Sequence, residues 1–520
     1  MSLELESPGA GASAAPEVFV PWLCALSLGV DLANGAPDGT ALRGTLIAAV
    51  SAERAGLSAE DRAAATFGAL FRYLGCTSYA LEEDRALGDE HEAARLLAPF
   101  DAADRSGIAR AVVTKLGRGE GALARTKRVA RLIIDGKDFQ RGYQASHCEG
   151  AVLLASRLGV RAAVREVLAT LHERWDGTGG PAGLRGEALS PATRVVHLAR
   201  EAAVQLATGS TVEVLLCLTK RAGGQLDPSL CGLLAGDAAF LDSLQSTSVW
   251  TEVEKHLLES LPLAFDRVPS LDEIACVFGD FADVKCPIFL GHSREVADLC
   301  VAAGANMGFS AGTLVNLRRA GWLHDIGRVA VPNHVWQKLG AFDPIEWERV
   351  RLHAYHGERV CMRLDKAVAL LVGQHHERGD GSGYARGTAP TLEASLLAAA
   401  DCYVALGEDR PHRKGYDDVG RCRVLEQEAA KGRLRPEAVR AILATKGVKP
   451  SSHKELPMGL TDRERAVLRL VARGLSNKEV AESLGISPRT VQAHTINAYD
   501  KLGIRTRAGA ALRASELGLL

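Results

Sequence analysis

A loop written twice constrains the fold of this 520-residue chain more than any other feature. Residues 172–189 read HERWDGTGGPAGLRGEAL, and about two hundred residues later residues 375–387 read HHERGDGSGYARG. Other landmarks recur in the same order. AAATFGALFRYLGCTSYA at 63–80 parallels LVNLRRAGWLHDIGRVAV at 314–331, and GGQLDPSL at 223–230 parallels GRLRPEAV at 432–439. His147 precedes His172 by 25 residues, much as His353 precedes His376 by 23. Two copies of one domain are therefore expected in series. The segment at 236–280 matches neither copy and reads as a helical bridge, with helices such as VWTEVEKHLLESL. At 47% apolar and 5% aromatic residues, with long Ala-, Leu- and Arg-rich stretches, the chain is expected to be all-α with almost no sheet.

The second copy carries the chemistry. LHDIGRVAVP at 323–332 and the HHERGDGSGYARG loop belong to a set of five imidazoles and two carboxylates: His292, His324, Asp325, His353, His375, His376 and Asp401. One carboxylate can bridge two cations while neutral imidazoles fill terminal positions and open sites admit water and substrate. Such a pair lowers the pKa of bound water from about 16 toward neutrality and clamps a phosphodiester for in-line attack. A metal-dependent phosphohydrolase is the reading these residue types support. The first copy has lost that set. Thr40 stands for His292, Gly75 and Cys76 for the His-Asp pair, Leu171 for His375 and Arg200 for Asp401. His147 and His172 alone cannot hold two metals, and Arg200 puts positive charge where a cation would sit. Copy one reads as a degenerate domain that packs as a pseudo-dimeric partner or senses a ligand.

Across residues 281–445 these motifs resemble the HD-GYP family, metal phosphodiesterases that open cyclic dinucleotides, chiefly cyclic di-GMP. The resemblance implies that His292, His324, Asp325, His353, His375, His376 and Asp401 hold two divalent metals, iron or manganese, with Asp325 as the bridging ligand. It also implies that Arg328, Gly383 and Tyr384 meet the substrate. Three departures are visible. Arg328 replaces the family's lysine, a planar fork in place of a point charge. Gly383-Tyr384-Ala385 replaces Gly-Tyr-Pro, losing the restriction that proline imposes on a loop. Ile288 stands where some members carry a third-metal glutamate. Glu377, Arg378 and Asp380 lie in a Gly-rich loop, where charged residues are usually solvated.

Residues 460–510 are punctuated as three helices. Thr461 with Glu464, and Ser476 with Glu479, form capping-box patterns, and Ser487-Pro488 opens a third helix. Gly474 and Gly485 mark left-handed helix exits. The tight turn between the last two helices predicts a helix-turn-helix, and the run resembles the LuxR-type DNA-binding domain. Val491, Ala498 and Leu502 fall at core spacing, leaving Gln492, Ala493 and Ile496 to face a major groove, where Gln492 can read adenine. Arg489, Thr490, Lys501 and Arg505 are expected to contact DNA beside them. Residues 454–520 hold 11 Lys plus Arg against 7 Asp plus Glu, a net of +4 in a chain whose total is −1. A surplus that modest implies a homodimer on a two-part double-stranded DNA site.

Eleven scattered cysteines without a Cys-x-x-Cys pair look like reduced residues of a cytoplasmic protein. No uninterrupted apolar run of about 18 residues is visible, and no membrane partner is expected. The expected layout is a disordered tail (1–16), a degenerate HD-type domain (17–235), the connector (236–280), an HD-GYP-like domain (281–445), a linker (446–459) and a LuxR-type domain (460–520). Two functions follow. One is a cyclic di-GMP phosphodiesterase coupled to a DNA-binding regulator; the other is a transcription factor whose tandem senses a nucleotide without efficient hydrolysis.

Overall fold

The computed structural model describes residues 13–116, 122–246, 248–446, 457–472 and 475–503; these form helices and turns, with only isolated bridges in place of strands. Residues 1–448 and 449–520 make two separate units. In the first unit, copy one supplies α1 (Pro16–Ala33), α2 (Thr40–Arg54), α3 (Ala59–Phe71), α4 (Ala80–Leu87), α5 (Glu90–Leu97), α6 (Arg105–Lys115), α7 (Ala122–Arg157), α8 (Ala162–Ala169), α9 (Pro191–Thr208), α10 (Thr211–Arg221) and α11 (Pro228–Ala235). The bridge supplies α12 (Ala238–Ser246) and α13 (Trp250–Ala264). Copy two follows with α14 (Leu271–Val284), α15 (His292–Asn306), α16 (Ala311–Leu323), α17 (Asn333–Trp336), α18 (Pro344–Cys361), α19 (Lys366–Gln374), α20 (Leu392–Gly407), α21 (Asp418–Ala430) and α22 (Pro436–Thr445).

The same local devices build both copies. Gly39 and Gly291, at φ 79° and 80°, turn the chain into α2 and α15. The orphan N–H groups of those helix starts bond a buried carboxylate on the preceding helix. Asp31 accepts from Gly39 at 2.8 Å and Ala41 at 2.9 Å, and Asp283 accepts from the Ser293 amide and hydroxyl, both at 2.8 Å. Burial pushes the Asp31 carboxyl up to about 7 against these bonds. Since α14 carries Asp283 as α1 carries Asp31, the second copy begins at Leu271, inside the segment read from sequence as a connector.

The repeat register needs one correction. Helices α3 and α16 both follow a serine cap, Ser58 or Ser310, and run 13 residues. Each leads into a turn whose glycine abuts the backbone of a later helix. A Cβ on Gly75 would lie 1.9 Å from the His147 carbonyl oxygen, and one on Gly327 would lie 2.1 Å from that of His353. Gly75 is thus the counterpart of Gly327, and Arg72 and Tyr73, not Gly75 and Cys76, occupy the places of His324 and Asp325. The letters of the sequence do not show this, because the constraint is a backbone contact with α7. Thr40, Leu171 and Arg200 do stand at the places of His292, His375 and Asp401.

A continuous apolar core runs through both copies. Phe265, from the bridge, sets its ring edge-on to Phe19 at 5.4 Å and Phe67 at 5.0 Å. The first helix, α1, is long and apolar enough to cross a membrane by length and composition, although no uninterrupted apolar run announces it, yet 67% of it is buried inside the fold. Its Phe19, Leu23 and Leu26 are core residues. The tail expected at 1–16 lies outside the described residues up to 12, and Pro16 already opens α1. A polar seam joins the copies. Lys285 donates to the carbonyls of Val329 at 2.7 Å and Val331 at 2.8 Å and pairs with Glu90 at 3.1 Å.

The second unit holds α23 (Asp462–Ala472), α24 (Asn477–Leu484) and α25 (Pro488–Leu502). Both capping boxes form: the Thr461 amide reaches Glu464 at 2.8 Å and the Ser476 amide reaches Glu479 at 2.7 Å. Ser487 caps α25 ahead of Pro488, and Gly485 exits α24 at φ 64°. Gly474, Arg505 and most of the linker fall outside the described residues. Val467, Val471, Val480, Ala481 and Val491 make the core.

Candidate metal centre and recognition helix

Five backbone segments converge on one point of copy two. His292 opens α15, His324 and Asp325 end α16, His353 sits on α18, His375 and His376 leave α19, and Asp401 comes from α20. Asp325 faces two ways. Its Oδ2 lies 2.9 Å from His324 Nε2 and 3.5 Å from His292 Nε2, while Oδ1 lies 3.3 Å from His353 Nε2 and 3.9 Å from His375 Nε2. Asp401 Oδ1 stands 3.3 Å from His292 Nε2. Two groups of mutually close ligand atoms result, His292-His324-Asp325 and His353-His375-His376.

Outer bonds select the imidazole nitrogen that points inward. Nδ1 of His324 bonds the Gly321 carbonyl at 2.8 Å, Nδ1 of His375 bonds that of Val372 at 2.6 Å, and Nδ1 of His353 bonds that of Val350. Each carbonyl only accepts, so each neutral ring carries its proton on Nδ1 and presents a bare Nε2 lone pair. The bare Nε2 atoms of His353 and His375 are 3.2 Å apart, and the Nε2 atoms of His292 and His324 are 3.3 Å apart. Lone pairs that converge this closely, around a shared carboxylate, fit divalent cations. Burial brings His375 down to about 3 and holds His376 well below its ordinary value, so both are neutral as ligands must be. On Asp325, burial is outweighed by Arg328 and His324, which keep it ionised. His292 goes the other way: burial is outweighed by bonds to Asp401 and Glu408, which raise it to about 10, so a cation bound there would take the place of its Nε2 proton.

A cavity of about 630 Å³ opens beside these ligands, walled by Trp336, Phe342, Tyr384, Lys338, Arg410 and Arg413. That lies within the usual range for ligand sites. Tyr384 stacks on His376 with ring centroids 4.6 Å apart. Gly383 is obligatory, because a Cβ there would come within 2.5 Å of the His376 carbonyl oxygen. Ala385 adopts φ 98°, a conformation closed to proline. Arg328 lines the same cavity. It is buried, ion-paired with Asp325 Oδ2 and stacked over Phe289 at 3.6 Å.

Several contributors were not legible as such in the sequence. Glu408 orients His292 through a 2.8 Å bond to Nδ1, and Phe289 carries both Arg328 and Arg410 on its ring. Glu377, expected to be solvated, is fully buried and accepts from the amides of Arg386 and Gly387 at the end of the loop. Glu173 does the same for Ala182 and Gly183 in copy one, and that repetition was the available signal.

On α25, Val491, Ala498 and Leu502 are buried, whereas Arg489, Thr490, Gln492, Ala493 and Ile496 are exposed, as their spacing predicts. Lys501 is exposed, and its ammonium bonds the buried Glu464 carboxylate at 2.7 Å, tying α25 to α23.

Residues 277–437 match the HD domain family, and residues 458–514 match the bacterial regulatory proteins of the luxR family. A 3'3'-cGAMP-specific phosphodiesterase of Vibrio cholerae is 28% identical over 364 residues, covering 68% of this chain and 78% of its own length. A cyclic di-GMP phosphodiesterase of Pseudomonas aeruginosa is 33% identical over 165 residues, covering 31% of this chain and 39% of its own. The crystal structure of a cyclic GMP-AMP specific phosphodiesterase of V. cholerae shares the fold, with a TM-score of 0.57 at 24% identity over 84% of this chain and 99% of that one. So large a share extends the fold likeness beyond the HD match into copy one. The chain therefore carries an HD domain across residues 277–437 and a DNA-binding domain of the LuxR family across residues 458–514.

Proposed function

We propose that this chain is a metal-dependent cyclic dinucleotide phosphodiesterase coupled to a DNA-binding transcriptional regulator. The observation that carries the reading is the two-faced carboxylate of Asp325, with one oxygen toward His292 and His324 and the other toward His353 and His375. His292, His324 and Asp401 would serve one ion, His353, His375 and His376 the other, and Asp325 both. Two divalent ions, iron or manganese, would supply an activated water and Lewis acidity toward a phosphodiester when bound. The chain's own residues do the rest. Lys338, Arg410 and Arg413 offer cations to substrate phosphates, and Trp336, Phe342 and Tyr384 offer aromatic faces to purine bases. The phosphodiesterase names of the similar proteins support the same substrate class. The exposed face of α25 would read double-stranded DNA, as a homodimer acting in the cytoplasm.

The test is turnover of cyclic di-GMP and of 3',3'-cGAMP by protein purified without oxygen and assayed with manganese or iron, beside Asp325→Ala. Product that disappears in the variant establishes the enzyme, and the ratio of the two rates names the substrate. A second reading, a regulator that binds the nucleotide without cutting it, draws on the Gly383-Tyr384-Ala385 turn, whose φ of 98° at Ala385 excludes the proline geometry. Metal-loaded protein that binds either nucleotide and yields no product would decide for that reading.

A further inference from the structure

Copy one encloses a cavity of about 1130 Å³ at the place where copy two gathers its metal ligands. Arg72, Tyr73, His147, Leu171, His172 and Arg200 line it, the counterparts of His324, Asp325, His353, His375, His376 and Asp401. Two guanidinium groups thus stand where the equivalent site presents a histidine and an aspartate to metal. We propose that this cavity binds a phosphate-bearing, nucleotide-sized molecule on the Arg72 guanidinium, without metal and without hydrolysis. The inference goes beyond the phosphodiesterase reading and does not depend on it.

Arg72 is the decisive residue. Its side chain is 8% exposed, Nη2 donates to the Leu171 carbonyl at 3.1 Å, and both Nε and Nη1 are buried with no hydrogen-bond partner. Folded proteins rarely leave buried charged donors unmade, because each forfeits its hydration without compensation. The carboxylates that line the cavity do not answer this need. Asp31 is bonded by the amides of Gly39 and Ala41, and Glu90 pairs with Lys285. Glu173 receives the amides of Ala182, Gly183 and Leu184, and Glu201 is held by Arg200 and Arg221. Burial raises the Glu83 carboxyl to about 8, which leaves it largely uncharged at neutral pH. The imidazoles contribute no anion either: His147 bonds the Arg72 carbonyl through Nε2 at 3.0 Å and His172 through Nδ1 at 2.9 Å.

Nε–H and Nη1–H lie on different edges of the guanidinium, each an open charge-assisted donor for a phosphate oxygen, and the Nη2–H that the Leu171 carbonyl leaves free can pair with one of them on two oxygens of one phosphate. Size then argues for more than the free ion. A phosphate would occupy a small part of 1130 Å³, and the cavity's Tyr143, Phe100 and Phe139 supply aromatic surface for a base. Loss of the metal ligands removes the means to cleave such a guest, while Arg72 supplies the means to hold it.

The test is calorimetric titration of the full chain in EDTA with GMP, AMP, cyclic di-GMP and inorganic phosphate, comparing wild type with Arg72→Gln, Arg72→Lys, Ala98→Trp and Asp325→Ala. Ala98 lines the cavity away from the Arg72 bonds, so its tryptophan fills space and leaves the guanidinium in place. The expected result is one nucleotide bound per chain in wild type and Asp325→Ala. Affinity should fall at least tenfold in Arg72→Gln and Ala98→Trp, with helical content by circular dichroism unchanged, and Arg72→Lys should fall in between. If Arg72→Gln does not fold, Ala98→Trp decides alone. Binding that survives in both Arg72→Gln and Ala98→Trp, or that is lost in Asp325→Ala, overturns the proposal. So does the absence of binding by every nucleotide, and phosphate binding as tightly as a nucleotide overturns the assignment of a nucleotide-sized guest.

Discussion

Replacing Gly327 by alanine should pull the candidate metal centre apart, and the same change at Gly75 should not. A Cβ on Gly327 would lie 2.1 Å from the His353 carbonyl oxygen and 2.5 Å from the Gly357 nitrogen. Unstrained contacts of this kind need about 3.3 Å or more, so the turn and α18 must separate by roughly 1 Å. Asp325 sits on one side of that seam and His353 on the other, with 3.3 Å between the oxygen and nitrogen that would share an ion. Overpacking of this type costs about 1–3 kcal/mol, and a misplacement of about 1 Å between reacting groups costs roughly 10²-fold in rate. Gly75 provides the control, since its Cβ would meet the His147 oxygen at 1.9 Å, yet its turn carries Arg72 and Tyr73 in place of ligands. Urea unfolding followed by circular dichroism should show comparable losses of stability in both variants. Metal content and nucleotide turnover should collapse in Gly327→Ala alone. Equal loss of turnover in Gly75→Ala, or full metal and activity in Gly327→Ala, would refute the argument that this contact sets the Asp325–His353 spacing.

Three further outcomes are expected. Asp325→Ala should lower metal content from about two ions per chain to fewer than one by elemental analysis, because each carboxylate oxygen faces a different histidine group; unchanged stoichiometry would remove Asp325 from the bridging role. Gln492→Ala should reduce discrimination between specific and nonspecific DNA by roughly 1–3 kcal/mol with nucleotide chemistry intact, and an equal fall in both kinds of binding would show that Gln492 reads no base. Ala385→Gly should raise the urea midpoint by the equivalent of about 1 kcal/mol, since glycine takes positive φ without the Cβ penalty. Ala385→Pro should lower that midpoint, because proline is held near −65°.

Much of this protein is set along the chain itself. Helix starts were legible from Thr461, Ser476 and Ser487, because a cap acts within three residues of its own position. The repeat, the helical class and the seven candidate ligands were legible too, since imidazoles and carboxylates announce their chemistry by type and order. What depended on distant backbone was not. The register of Arg72 and Tyr73 is decided by the approach of Gly75 to the His147 carbonyl, 72 residues away. Arg328 reads as a phosphate contact by motif, and only the fold shows that it also meets Asp325 and Phe289, where an ion pair and an aromatic face compensate for burial. Lys501 reads as a surface cation, and only packing brings Glu464, 37 residues earlier, beside it. Local order thus determined which residues could bind metal, nucleotide or DNA, whereas packing decided which charges were already neutralised by a neighbour and which, like Arg72, were left to be met from outside.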